Sequence, residues 1–144
     1  MQHRIAFGAA IAVVSALAFA RCGGSYSGPP TSPGGPSTGN VAATVTIRAD
    51  GRVEPAEVRI SVGERVRFIN QDTRQHQPTS NPHLVHTDCP ASNLPVMSTG
   101  QSETTQAFTV EKACAFHDHL NPDSTSLQGV IRVGNAQGPG GPVY

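Results

Sequence analysis

Five of the six histidines in this 144-residue chain fall between positions 76 and 119: His76, His83, His86, His117 and His119. Neutral imidazole is a ligand for copper, zinc, iron and nickel, so a dense group of histidines is first of all a metal-binding question. His117 and His119 are two apart at the end of an apolar run. In an extended strand a period of two puts both rings on one face, roughly 6.5 to 7 Å apart along the chain. Two such rings can converge on one ion, and His76, His83 and His86 can close over them from an irregular stretch. Taken singly, each histidine is also explained as a solvated loop residue or as a ring donor to a loop carbonyl. Other chemistry has little support. The chain has neither a Gly-x-Ser-x-Gly nucleophile motif nor a phosphate-cradling glycine loop. Ten Lys and Arg balance ten Asp and Glu, so no basic face is available for nucleic acid.

The elements that must hold these histidines read as short strands. Fifteen Gly, twelve Pro, no Trp and 14% charged residues are unlike a helical bundle, which is rich in Ala, Glu, Lys and Leu. Thr44-Val45-Thr46-Ile47 alternates polar and apolar. Val58, Ile60 and Val62 point one way between Arg59 and Ser61, and Arg65-Val66-Arg67-Phe68-Ile69 repeats the pattern before the turn residues Asn70-Gln71-Asp72. Strand pattern returns at 102–110, 113–117 and 129–133. Residues 73–100 show no clean period and hold four Pro and three of these histidines, which predicts a long loop that is functional or pinned. Six or more short strands at this spacing predict an all-β fold, a β-sandwich, with Phe68, Phe108 and Phe116 in its core.

The two ends read differently. After His3 and Arg4, residues 5–20 carry no charge and close on Ala18-Phe19-Ala20, the pattern of an export signal, which 1–21 is expected to form. Cys22, followed by Gly23-Gly24-Ser25, is a candidate for acylation, although Arg21 stands where lipoprotein signals have a small residue. Residues 22–40 hold six Gly and four Pro and predict a flexible linker. The domain is expected at 41–134 and a flexible tail at 135–144. Periplasmic or cell-surface placement follows, with membrane contact only through a lipid on Cys22.

The segment Gly63-Glu64-Arg65-Val66-Arg67-Phe68-Ile69-Asn70-Gln71-Asp72, with His76 beyond it, resembles the strand and loop that present the first histidine ligand in cupredoxins, the plastocyanin-like copper proteins. Phe116-His117-Asp118-His119-Leu120-Asn121-Pro122, leading to Gly129-Val130-Ile131-Arg132-Val133, is similar to their ligand loop and last strand. The resemblance spans nearly all of 41–134 and implies an eight-stranded or similar Greek-key β-sandwich with a metal site at one end, reached by loops. The cupredoxin-like placement of His76, together with the shared face of His117 and His119, gives these three as the expected core copper ligands, with His86 as the expected fourth and His83 also in the candidate set.

The departures from that family are informative. A blue copper site needs a thiolate, two imidazoles and usually a weak thioether. Here Asp118 occupies the thiolate position and Asn121 replaces the histidine three residues further on. The sequence is closer to a bacterial cupredoxin-like subgroup with a His-Asp-His-Leu-Asn-Pro loop that lacks the usual cysteine. Two assignments remain for Cys114. Cys114-x-x-His117 matches a blue-copper spacing, while an oxidising compartment favours a Cys89–Cys114 disulfide. Asp72, Asp88 and Asp118 are candidates for orienting ligating imidazoles, and turn capping explains Asp72 and Asp88 equally well.

The leading functional expectation is therefore an exported copper-binding module that handles metal through histidines, with Cu(II) favoured and zinc as the alternative ion. Its partners are the metal and a redox or copper-handling protein. Electron transfer through Cys114, a small copper oxidoreductase, and a metal-free, disulfide-stapled surface domain are the competing readings. Catalysis is not the favoured one.

Overall fold

The computed structural model describes residues 40–138. The expected signal at 1–21, Cys22, the linker up to position 39 and the end of the tail lie outside the described residues. Alternating side chains with small or polar turn residues between them produce eight strands: β1 (Val41–Ile47), β2 (Val53–Glu54), β3 (Glu57–Ile60), β4 (Arg65–Asn70), β5 (Pro78–Ser80), β6 (Ser102–Thr104), β7 (Ala113–Asp118) and β8 (Gly129–Val133). They form two four-stranded sheets, in the order β2-β1-β4-β6 and β3-β8-β7-β5. The first sheet pairs β1 with β4 in parallel, and the second pairs β3 with β8 in parallel and β7 antiparallel to both β8 and β5. Among the described residues no helix is long and apolar enough to cross a membrane.

The inward sides of the strands make the core. Val45, Ile47, Val58, Ile60, Val66, Phe68, Phe116, Ile131 and Val133 are buried together, as the period of two requires. Phe68 and Phe116 meet edge to face with ring centroids 5.1 Å apart, a geometry worth about 0.5–1.5 kcal/mol beyond the area it buries. Phe108 is also in this cluster. Gly129 lets β8 run close to its neighbours. A Cβ there would lie 2.4 Å from the Ala56 carbonyl oxygen and 2.5 Å from the Phe116 ring.

Three expectations need correction. Val62 does not share the inward side of Val58 and Ile60. It is half exposed, because the chain already turns at Gly63, whose φ is +92°. The strand expected over 102–110 pairs only at β6. Beyond it the chain stays hydrogen-bonded to the turn before β4, with Gly63 N–H donating to the Phe108 carbonyl and Phe108 N–H to the Glu64 carbonyl. The stretch 73–100 contains structure that its lack of period concealed. β5 pairs with β7 there, setting Thr79 opposite His117 and Pro78 opposite Asp118.

This stretch is pinned in two further ways. His76 and Met97 exchange backbone hydrogen bonds. Cys89 and Cys114 form a disulfide with a Cα–Cα distance of 5.7 Å, buried in the core cluster. Cys114 is thereby removed as a thiolate.

Candidate metal centre

β7 and β5 set the geometry of the site. His117 is the fifth residue of β7 and His119 follows its last residue, so the two project to one side of the strand while Asp118 projects to the other. β5 then leads into the turn that carries His83 and His86. Two residues of this turn take left-handed backbone angles, Leu84 with φ 76° and His86 with φ 48°. Such conformations are uncommon for residues with a Cβ and concentrate at functional sites. The turn is held by His86 N–H to the Pro82 carbonyl, Asp88 N–H to the Asn81 carbonyl and Asn93 Nδ2 to the His86 carbonyl.

Four imidazoles meet as a result. His83, His86, His117 and His119 each offer a ring nitrogen, and these atoms all lie within 4.8 Å of one another. His83 Nδ1 is 3.3 Å from His117 Nε2, and His119 Nδ1 is 3.1 Å from His86 Nε2. A four-coordinate ion with metal–nitrogen bonds of about 2.0–2.1 Å separates its ligand atoms by roughly 3–4 Å. The four histidines therefore fit such an ion, with an all-nitrogen donor set.

The electrostatics keep His117 and His86 ready to ligate. Burial, reinforced by the nearby rings of His86, His83 and His119, pushes the His117 imidazole down to about 4, against a smaller opposing pull from Asp118. Burial, then His119 and His83, lowers that of His86 as well. An uncharged imidazole is the ligating form. Asn81 fixes which nitrogen of His117 is available. Its Oδ1 lies 2.8 Å from His117 Nδ1, and since an amide oxygen only accepts, Nδ1 carries the proton and Nε2 keeps its lone pair for the centre. Sequence reasoning gives no role to Asn81. Its part comes from a contact across to β7, for which the only local signal is its place just ahead of Pro82-His83.

His76 is not in this group. It is fully buried, with Nδ1 2.9 Å from Asp118 Oδ2 and Nε2 3.0 Å from Asp72 Oδ2. Both of its ring nitrogens are bonded to carboxylates, so of the five expected ligands His76 alone stands apart from the group. The hydrogen bond from His76 is the main reason that the Asp72 carboxyl lies well below the usual range, with Arg74 assisting and burial opposing. Asp118 bonds to no ring of the four. Its Oδ1 accepts from Gln77 N–H at 2.7 Å and from Leu120 N–H at 3.4 Å, and its Oδ2 accepts from Asn121 Nδ2 at 2.6 Å. Asp88 accepts from Lys112 Nζ instead of orienting an imidazole. His76 and Asn121 thus both bond to Asp118 Oδ2, on the side of β7 away from the four imidazoles.

No protein-family model matches the chain, and no curated protein matches it significantly. Solved structures do. A purple cupredoxin from Nitrosopumilus maritimus is similar with a TM-score of 0.52 at 20% identity, covering 64% of this chain and 99% of the other. A mutant fern plastocyanin gives a TM-score of 0.52 at 17% identity, covering 63% and 99%. An oxidised amicyanin mutant gives 0.51 at 24% identity, covering 65% and 82%. A likeness that spans 99% of each of the first two structures leads to one conclusion: this domain has the cupredoxin fold.

Proposed function

We propose that this domain binds one copper ion, as Cu(II), through His83, His86, His117 and His119, and serves in metal handling. The convergence of four imidazole nitrogens within 4.8 Å carries this reading. An all-nitrogen set suits Cu(II) in tetragonal geometry, and the general order of divalent affinities puts copper above zinc. The ion supplies a Lewis-acidic, redox-capable centre. The protein supplies four imidazole rings, two from the end of a strand and two from a strained turn. With both domain cysteines in a disulfide, no thiolate is available to give a blue site or fast electron exchange. Export is part of the proposal, supported by the disulfide, which persists in oxidising compartments, and by the uncharged N-terminal stretch.

Copper titration followed by optical and electron paramagnetic resonance spectra tests it. A pale Cu(II) form with four nitrogens coupled to the metal is expected. Its loss in the double change His117→Ala and His119→Ala should accompany loss of high-affinity binding. An intense visible thiolate band, unchanged affinity in the double variant, or a clear preference for zinc in competition would overturn the assignment.

A further inference from the structure

We propose that His76 and Asp118 are positioning residues for the metal centre, fixing where His119 presents its ring without touching the ion. The inference rests on the copper reading above and concerns how one ligand is held.

His119 lies beyond the last residue of β7 and so lacks a strand's two-sided support. Its own N–H donates to the Gln77 carbonyl at 2.8 Å. The other contacts that define its backbone pass through Asp118. That carboxylate accepts from Gln77 N–H at the entry to β5, from Leu120 N–H and Asn121 Nδ2 in the turn after His119, and from His76 Nδ1 in the interior. One side chain thus joins the residue before His119 to the two after it and to the opposite strand entry. It is buried, at 2% exposure, where charge-assisted hydrogen bonds are strong and a lost partner is costly.

His76 holds that carboxylate in turn. Its ring spans Asp118 on one side and Asp72 on the other, and Asp72 is itself bonded by Arg74 Nε and Nη2 at 3.1 and 2.9 Å. Asn70 Oδ1 accepts from Asp72 N–H at 2.9 Å, which connects the chain of contacts to the end of β4. His76 therefore ties the first sheet to the tip of β7. His117 is held separately, through Asn81, so the two strand-borne ligands have independent supports.

The test compares His76→Ala, His76→Gln and Asn121→Ala with the wild type. The Gln side chain restores one donor toward Asp118, and the Asn121 variant removes a donor at the half-buried turn without emptying the core. In the metal-free protein, nitrogen-detected NMR of the imidazoles reads the His119–His86 contact directly. His76→Ala and Asn121→Ala should shift the ring signals of His119 and His86 and leave those of His83 and His117 close to wild type, with partial recovery in His76→Gln. Copper affinity should fall about 10–100-fold, the usual effect of losing a residue that orients a ligand, while the Cu(II) spectrum still shows four nitrogens. Unshifted His119 signals in both Asn121→Ala and His76→Gln, with wild-type affinity, would overturn the inference. Loss of one nitrogen from the Cu(II) spectrum in His76→Gln would overturn it too, by making His76 a ligand. If the wild type takes up no copper, the copper reading fails, and the NMR comparison in the metal-free state decides the positioning role alone.

Discussion

Asn81 Oδ1 stands 2.8 Å from Nδ1 of His117, and this contact determines which nitrogen of a buried ring faces the other three histidines. Replacing Asn81 with Ala releases that choice. Metal affinity should drop by about 10–100-fold, whereas Asn81→Asp, which keeps an accepting oxygen, should remain within a few-fold of wild type. Isothermal titration calorimetry of the two variants checks the difference.

Acid should destabilise the metal-free domain in a window defined by His117. Its imidazole is held down to about 4 by burial and by its histidine neighbours, while an unfolded histidine titrates near 6.5. Above that value both states are uncharged and the full stability is present. As the pH falls, the unfolded chain takes up the proton first, so stability declines between about 6.5 and 4, by roughly 3 kcal/mol from this residue. Asp72, with its carboxyl lowered chiefly by His76, adds stability that is lost only in more acid solution. Denaturant unfolding at about pH 7 and about pH 5 should show the first decline, and His117→Gln should flatten it.

Reducing the Cys89–Cys114 disulfide should loosen the centre as well as the fold. The bridge spans a sequence separation of 25 residues, for which loop entropy gives about 3.5 kcal/mol. Cys89 lies three positions after His86, and Cys114 three before His117. The paired change Cys89→Ser and Cys114→Ser should therefore lower the melting temperature and weaken copper binding together. Calorimetric scans and metal titration of the same variant provide both readings.

Gly129→Ala should be among the most damaging single methyl additions in the domain. The new Cβ meets the Ala56 carbonyl oxygen at 2.4 Å and the Phe116 ring at 2.5 Å, and the backbone oxygen has little freedom to retreat. Overpacking of this kind costs about 1–3 kcal/mol. Phe116 immediately precedes His117, so the metal-free ring signals of His117 should move along with the denaturation midpoint.

The strands that flank the core are legible in the sequence because one side of each is buried and the other is not. β4 and β8 appear within a residue of the expected 65–69 and 129–133. β5 is not legible, because all three of its residues are buried and it contains Pro78, so it shows no alternation. Among the site residues, His117 and His119 pair from their spacing alone, and His83 and His86 belong to the expected set. His76 cannot be separated from them by residue type. What removes it is the meeting of Asp72 and Asp118, far apart in the chain, on either side of one ring, a tertiary fact with no local trace. The same holds for Val62, whose position in an alternating run is cancelled by the turn at Gly63.

β7 acts as a partition. On one side of its backbone at the tip are the two imidazoles that join the group of four. On the other is the carboxylate bonded to His76 and Asn121. A single strand thus separates two chemically different compartments whose residues are immediate neighbours in the chain. Changes on one side reach the other through the backbone between them and through the field of the Asp118 carboxylate at His117. A lineage carrying this arrangement can alter the interior cluster, or even place sulfur at position 118, as a separate evolutionary step from assembling or losing the histidines outside.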